Sequence, residues 1–432
     1  MKPKKLSISN HIEERWREYA NYVVHKRGIP NFYDGLTNTQ RILINSAPVK
    51  FTKSVSVIGE AIRRGYAHGN ASLENSMNIL AKEFSVADNI FDGDGFFGTP
   101  VSGDAAAARY TAVRLNQKFS NEIKKYEELN TNDEDGLPKG YHIDVPIGLC
   151  VGNTGIAIGF KSKILPRRLE DMKRYLETGI GRVKPYFKNF DGDIKVDPQD
   201  KSKWVIRGKY DTQKQGRNYV LTITEIPPTL RYETFVKKIN DFLERANISS
   251  VKVINESKVK IHLILKTANK KDFDKLQRRI DTIITANETE TVVFIRDGVL
   301  IQYRNFIDYL DDFREWKKEL LLKKYNYDLG ELEFNLEFNE AKLKFLNWMI
   351  IDGKRKSRQQ ITDFLKQFQE KISARLRQFP LYKTDLEEIQ FTEEKILELK
   401  QEIKDLKLTI QKQKTIVEKS KQIKSKRINF KN

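Results

Sequence analysis

The segment Gly103-Asp104-Ala105-Ala106-Ala107-Ala108-Arg109-Tyr110-Thr111 places a possible nucleophile where a large partner can reach it. Four alanines leave little bulk around the adjacent arginine and tyrosine. A phenol has an unperturbed pKa of about 10, so Tyr110 needs assistance to attack anything at neutral pH. The Arg109 guanidinium can stabilise both the phenolate and the oxyanion of a phosphate under attack. An isolated Arg-Tyr pair is also ordinary on a helix, so the surrounding chain has to decide. Two glycine-rich stretches mimic nucleotide sites. Gly93-Asp94-Gly95-Phe96-Phe97-Gly98 matches the dinucleotide fingerprint formally, but Thr99-Pro100 follows where a helix should open, which makes it a turn. Gly155 to Ser162 looks like a phosphate-binding loop with the wrong glycine spacing, because Phe160 separates Gly159 from Lys161. Any ATP requirement therefore falls to another polypeptide.

A chain of 432 residues accommodates about three domains. Its net charge of +19 and pI near 9.5 point to a polyanionic partner. No apolar run approaches the roughly 20 residues of a membrane span, and the basic N-terminus lacks an apolar signal core. Nucleic acid is therefore preferred to a membrane surface. The single cysteine, Cys150, excludes an internal disulfide and a cysteine zinc site, and fits a core position in a reducing compartment. Five scattered histidines form no metal-ligand cluster.

The elements that must position Arg109 and Tyr110 follow from periodicity. Ile12, Trp16, Tyr19, Tyr22 and Val23 make one apolar stripe on an N-terminal helix. Pro30 and Asp34-Gly35 break it. Short helices are predicted at Thr39–Ser46 and Ser54–Tyr66, and Leu73, Met77, Leu80 and Phe84 recur at helical spacing. Arg63 and Arg64 end the second helix, where cations suit either the helix dipole or a DNA phosphate. The polar loop Thr131 to Gly136 marks a boundary. Beyond it, β-like runs such as Trp204-Val205-Ile206, Tyr219–Ile223, Val251–Ile254 and Val259–Leu265 alternate with helices at Tyr232–Ala246 and Lys271–Ile284. A helical seam then runs from Leu310 through Phe313, Leu320, Tyr327 and Phe334 to Trp348, interrupted by Lys317, Lys324 and Glu331. Asp352-Gly353 ends it. Ile396, Leu399, Ile403, Leu406 and Ile410 form a second seam, with shorter helices between the two and a basic tail after Lys419.

Taken together, the motifs resemble the breakage-reunion subunit of type IIA DNA topoisomerases: the A subunits of gyrase and topoisomerase IV, the central part of eukaryotic topoisomerase II, and the medium subunit of tailed-phage enzymes. The resemblance rests on Arg27-Gly28-Ile29-Pro30-Asn31, Asp34-Gly35-Leu36 with Gln40-Arg41, and Gly65 to Asn70. It continues through Asp92 to Gly98, Ala107-Ala108-Arg109-Tyr110, Gly152 to Gly159, and Ile223-Thr224-Glu225-Ile226-Pro227. They occur in the family's order and span more than half the chain. An α+β multidomain fold is implied: an N-terminal helical arm (1–28), a winged-helix catalytic domain (29–125), an α+β tower (126–304), and a long antiparallel coiled coil (305–432) carrying a small helical C-gate cap (about 351–390). The arm packs either on its own domain or, as in the family, on a partner subunit.

The resemblance also implies the chemistry. Tyr110 would attack a DNA phosphodiester, form a 5′-phosphotyrosine and release a 3′ hydroxyl, and reversal would reseal the strand. Arg109, Arg27 and His68 would surround the same phosphate, stabilising charge in the transition state. Arg41, Arg63 and Arg64 are further DNA-binding candidates. Ile156 is either a buried plug or the family's wedge between base steps, which bends the cleaved duplex. The family's Mg2+ belongs to a Toprim domain, and no matching acidic cluster stands here: glycines flank Asp92 and Asp94. Mg2+ ligands and ATPase are therefore expected on a partner of one or two chains. One tyrosine per chain cuts one strand, so double-strand cleavage implies a homodimer. Localisation would be cytoplasmic and nucleoid-associated, or in the host cytoplasm if the chain is viral.

Several positions depart from the family pattern. Thr37-Asn38 replaces the usual Lys-Pro, Ala67 a common His or Pro, and Asn70 an acid. Ala71 and Asn75 stand where bacterial enzymes anchor quinolones, so resistance to drugs using that bridge is expected. The chain stops soon after the coiled coil, which suggests relaxation and decatenation rather than negative supercoiling. The competing reading is a DNA-binding coiled-coil architectural protein that does not cleave. A tyrosine recombinase would need a different arginine constellation.

Overall fold

The computed structural model describes residues 8–24, 28–132, 136–216, 218–246, 250–255, 259–265, 270–350, 358–369 and 393–428. The chain divides into two compact units, Met1–Glu315 and Trp316–Asn432.

The first unit opens with helix α1 (Ile8–Val23). Its predicted stripe is uncovered: Ile12, Trp16, Tyr19 and Tyr22 are exposed, and only its end, Val23 and Val24, is buried. Those two valines join Ile29, Ala157, Val293 and Ile295 in one apolar cluster.

Three short helices follow: α2 (Asn38–Ser46), α3 (Ser54–Arg63) and α4 (Asn70–Ala81). α2 begins where it does because Thr37 makes a capping box: Gln40 N donates to Thr37 Oγ1, and Thr37 N donates to Gln40 Oε1 at 2.9 Å. The departure at Thr37 thus exchanges a cation for a helix start. Val57, Ile58 and Ala61 of α3 and Leu73, Met77 and Leu80 of α4 are buried at helical spacing. β1 (Thr52–Lys53), β2 (Phe91–Asp94) and β3 (Ala112–Leu115) form an antiparallel sheet in the order β1-β3-β2 beside them. Gly93 and Gly95 therefore belong to a β-sheet and its turn, outside any βαβ unit. Helix α5 (Gln117–Lys124), capped by Asn116, leads away.

Next comes the hairpin β4 (Asn153–Ala157) and β5 (Phe160–Ile164), then α6 (Leu169–Thr178). Cys150, just before β4, is fully buried, and burial pushes its thiol pKa well up. β6 (Asp193–Val196), β7 (Lys203–Arg207) and the later β12 (Thr285–Thr289) make a second sheet. β8 (Lys209–Gln215), β9 (Asn218–Glu225), β10 (Ser250–Asn255) and β11 (Val259–Leu265) make a third, ordered β10-β11-β9-β8. Helices α7 (Tyr232–Ala246) and α8 (Lys270–Ile283) cover it, with Phe235, Ile239, Leu276 and Ile280 packed on Leu221 and Ile223. β13 (Val292–Arg296) pairs with β14 (Val299–Tyr303). β13 also receives Phe32 N on Ile295 O, while Ile295 N donates to Pro30 O. Deep in this unit Arg167 pairs with Glu290 at 2.7 Å and stacks 4.3 Å from the Phe306 ring, all buried.

Helix α9 (Phe306–Ile350) runs into the second unit, where α10 (Arg358–Gln369) and α11 (Glu393–Ile428) complete the described helices. α9 and α11 are antiparallel: Glu333 pairs with Lys414 and Glu340 with Lys407, each at 2.9 Å. Ile403 packs on Leu336 and Leu343 along the same pair of helices. The seam slips at Tyr327, which is exposed, with the Lys324 ammonium over its ring. Of the expected cap at 351–390, only α10 is described; Phe364 stacks on Trp348 at 4.2 Å. The rest lies outside the described residues.

Candidate active site

Tyr110 ends a turn, residues 108–110, that leads into β3. The start of α3 clamps this turn. Ser54 N donates to Thr111 O at 3.0 Å and Val55 N to Ala108 O at 3.3 Å. α3 has no side-chain cap, so the tyrosine loop supplies carbonyls for N–H groups that a helix start leaves unsatisfied. Thr111 Oγ1 donates to Ser54 Oγ at 2.7 Å, and both residues are buried. On the other flank, Ala106 N donates to Phe96 O at 2.9 Å. Gly95, at φ +109°, lets the β2 end pass close, since a Cβ there would lie 3.2 Å from Tyr110 O.

The backbone is held while the phenol is free. Tyr110 is 67% exposed. The Arg109 guanidinium lies 5.1 Å from its ring centroid, within cation–π range. Among the described residues Arg109 has no carboxylate partner. The loop also walls a cleft of about 1150 Å³ that reaches α4 and residues 225–233. Lys82 stands in that cleft, with its pKa lowered by burial.

His68 belongs to a second cluster, on the connection between α3 and α4. Its Nε2 is 2.7 Å from the Tyr22 hydroxyl, and the Tyr66 ring meets it edge-on at 5.4 Å. The two clusters sit at opposite ends of α3, whose ten residues make a rod about 15 Å long. One chain therefore does not bring His68 to Tyr110. Arg27 lies outside the described residues. Its neighbour Gly28 is described and crosses β4 closely: a Cβ on Gly155 would lie 1.7 Å from Gly28 O.

Ile156 is 76% exposed on β4, which rules out the buried plug in this chain. Arg63 and Arg64 both bind Glu60, at 2.6 and 2.7 Å. The Arg63 hydrogen bond leads in holding the Glu60 carboxyl down at about 2. Arg41 is a correction. It is buried, and its guanidinium grips Asp34 through Nε at 2.8 Å and Nη2 at 3.0 Å. Asp34 also accepts from Leu36 N and Tyr141 N, each at 2.9 Å. This pair builds the loop before α2 and is buried within the chain instead of standing on its surface. Sequence reasoning passed over Tyr22 as a plain stripe residue. It also missed Glu60, whose spacing of three and four to Arg63 and Arg64 is a visible ion-pair signal.

Asp92 does not suit a metal. Its carboxylate accepts from Arg114 Nε at 2.9 Å and Asn116 Nδ2 at 2.6 Å, which neutralises it. Among the described residues no group of three potential ligands gathers elsewhere.

A clamped turn bearing an exposed tyrosine is thus followed by further β-sheets and by long antiparallel helices. The crystal structure of the Plasmodium falciparum topoisomerase II DNA-binding, cleavage and re-ligation domain has the same fold. Its TM-score is 0.77 at 20% identity, covering 99% of this chain and 65% of that one. The chain belongs to the A-subunit family of DNA gyrase and topoisomerase IV, whose model matches residues 27–423. This is the family of DNA-cleaving and religating subunits of type IIA topoisomerases. The medium subunit of the phage T4 DNA topoisomerase is 28% identical over 386 residues, 82% of this chain and 84% of that protein. The gyrase A protein of Ureaplasma parvum is 25% identical over 382 residues, 78% of this chain but only 44% of its own length. No helix among the described residues is long and apolar enough to cross a membrane.

Proposed function

We propose that the chain is the DNA-cleaving subunit of an ATP-dependent type IIA topoisomerase, in which Tyr110 forms a transient 5′-phosphotyrosine while a second duplex passes. The observation that carries this reading is the exposed Tyr110 beside Arg109 on a backbone fixed from both flanks. The other arginines considered as DNA contacts, Arg41, Arg63 and Arg64, are engaged by carboxylates. Arg109 keeps its charge for a phosphate. The phenol oxygen attacks phosphorus as its proton leaves, the 3′ oxygen departs and takes up a proton, and reversal restores the strand. One phosphodiester replaces another, so resealing draws on no external energy.

The separation of His68 from Tyr110 along α3 supports a homodimer, in which one copy's Tyr110 meets the His68 cluster of its partner. In this reading α2 to α4 with their sheet form a winged-helix module, the sheets after β5 a tower, and the long helices a coiled coil ending in a C-gate. The exposed stripe on α1 covers, or is covered by, a partner subunit. That partner, of one or two chains, supplies Toprim, Mg2+ ligands and ATPase. The complex relaxes and decatenates DNA in the cytoplasm of a bacterium or of a phage host.

The test combines the chain, its ATPase/Toprim partner, Mg2+ and a 3′-end-labelled duplex, because the label must lie on the fragment whose 5′ phosphate joins the tyrosine. Label should remain on denatured protein at Tyr110 and vanish in Tyr110→Phe. A gel shift without covalent label would instead support the non-cleaving architectural protein.

A further inference from the structure

We infer that Lys161 is a phosphate contact that works with the Ile156 wedge, a role resting on the reading of Ile156 given above. The hairpin register pairs Ile156 with Lys161 and Ala157 with Phe160. Directly opposed residues in an antiparallel pair share a face, with Cβ atoms about 5 Å apart. Ile156 and Lys161 are both exposed on that face. Phe160, also exposed, pairs with Ala157 and belongs to the opposite face.

The charge on Lys161 is available. Among the described residues it has no carboxylate partner. The next lysine of the strand is neutralised locally: Lys163, two residues on, pairs with Glu288. An uncompensated ammonium beside the most exposed apolar side chain of the hairpin suits a kinked duplex. A side chain driven between two base pairs unstacks them and opens the groove. The backbone phosphates flanking the opened step then lie within reach of a four-carbon amine on the same face. Neutralising one of them holds the bend that the wedge begins. The Lys161 that imitates a phosphate-binding loop in the sequence thus meets a phosphate after all, on DNA.

The test uses the full chain with a fluorophore-labelled 30-base-pair duplex, reading affinity against salt and bend angle by energy transfer. Removing one phosphate contact should lower the slope of log affinity against log salt by about 0.9. Lys161→Ala should show that loss and a smaller bend, and Lys161→Arg should restore both. Ile156→Ala should lose the bend with the slope intact. An unchanged slope in Lys161→Ala overturns the phosphate contact. A lowered slope with an unchanged bend overturns the cooperation with the wedge. Retention of the full bend in Ile156→Ala is the separate result that refutes the wedge itself. Lys161 and Ile156 are both exposed, so these variants leave the fold intact.

Discussion

The Thr111 hydroxyl donates to Ser54 Oγ at 2.7 Å, one residue beyond Tyr110 and at the first residue of α3. Both are buried, and Ser54 N returns a bond to Thr111 O at 3.0 Å. Tyr110 is thereby tied to the end of a helix rather than to a loop. Thr111→Val keeps the shape and strands the Ser54 hydroxyl. It should cost about 1–3 kcal/mol in denaturant unfolding. Single-turnover cleavage should fall by about 10- to 100-fold, because small misplacements of a reacting group are expensive. Normal cleavage with normal stability would show that the clamp is irrelevant to Tyr110.

The Tyr22–His68 bond at 2.7 Å ties α1 to the His68 cluster. Tyr22→Phe removes one hydrogen bond, worth about 0.5–1.5 kcal/mol. Cleavage should slow by roughly 2- to 10-fold, less than in His68→Ala, with DNA affinity unchanged. A Tyr22→Phe chain cleaving at the full rate would detach Tyr22 from the chemistry.

Arg41 separates structural from DNA-facing cations. Arg41→Met leaves Asp34 buried without its counter-ion, which should cost about 3–5 kcal/mol in chemical denaturation. The salt slope of DNA binding by the folded protein should not move. A slope lowered by about one would restore Arg41 to the DNA surface.

Glu60 restrains Arg63 and Arg64. Its carboxyl is depressed to about 2, first by the Arg63 hydrogen bond. A depressed acid contributes fully above its unfolded value near 4.5 and loses its effect as pH falls toward 2. DNA binding should therefore show no Glu60 titration between pH 7 and about 4.5, and carbon-detected NMR should place its midpoint near 2. Glu60→Gln should raise affinity and steepen the salt slope wherever these arginines meet DNA. Affinity that is indifferent to this change would leave them as helix-end charges.

Gly155 is the tightest point between the hairpin and the segment at Gly28, with a virtual Cβ 1.7 Å from Gly28 O. Gly155→Ala must push two backbones apart. It should lower the melting temperature by several degrees, through a loss of about 1–3 kcal/mol from overpacking. It should also weaken DNA bending, since Ile156 is the next residue. An unshifted melting curve would mean that the crossing is loose.

The residue order alone singled out Tyr110 and Arg109 as candidates and located most elements, because these depend on local chemistry. Periodicity located α7, the strands β7 and β9, and the long helices α9 and α11, each of which buries a repeating apolar face. It could not tell that Arg41 is interior while Arg109 is free, since both are arginines near turns. That distinction depends on Asp34, whose carboxylate is also held by Tyr141 N from a distant segment. Nor could it tell whether Ile156 is inside or outside, because an isolated apolar residue among glycines fits either place. Only the folded chain supplied the neighbours that decide these cases. It also set His68 and Tyr110 at opposite ends of one helix.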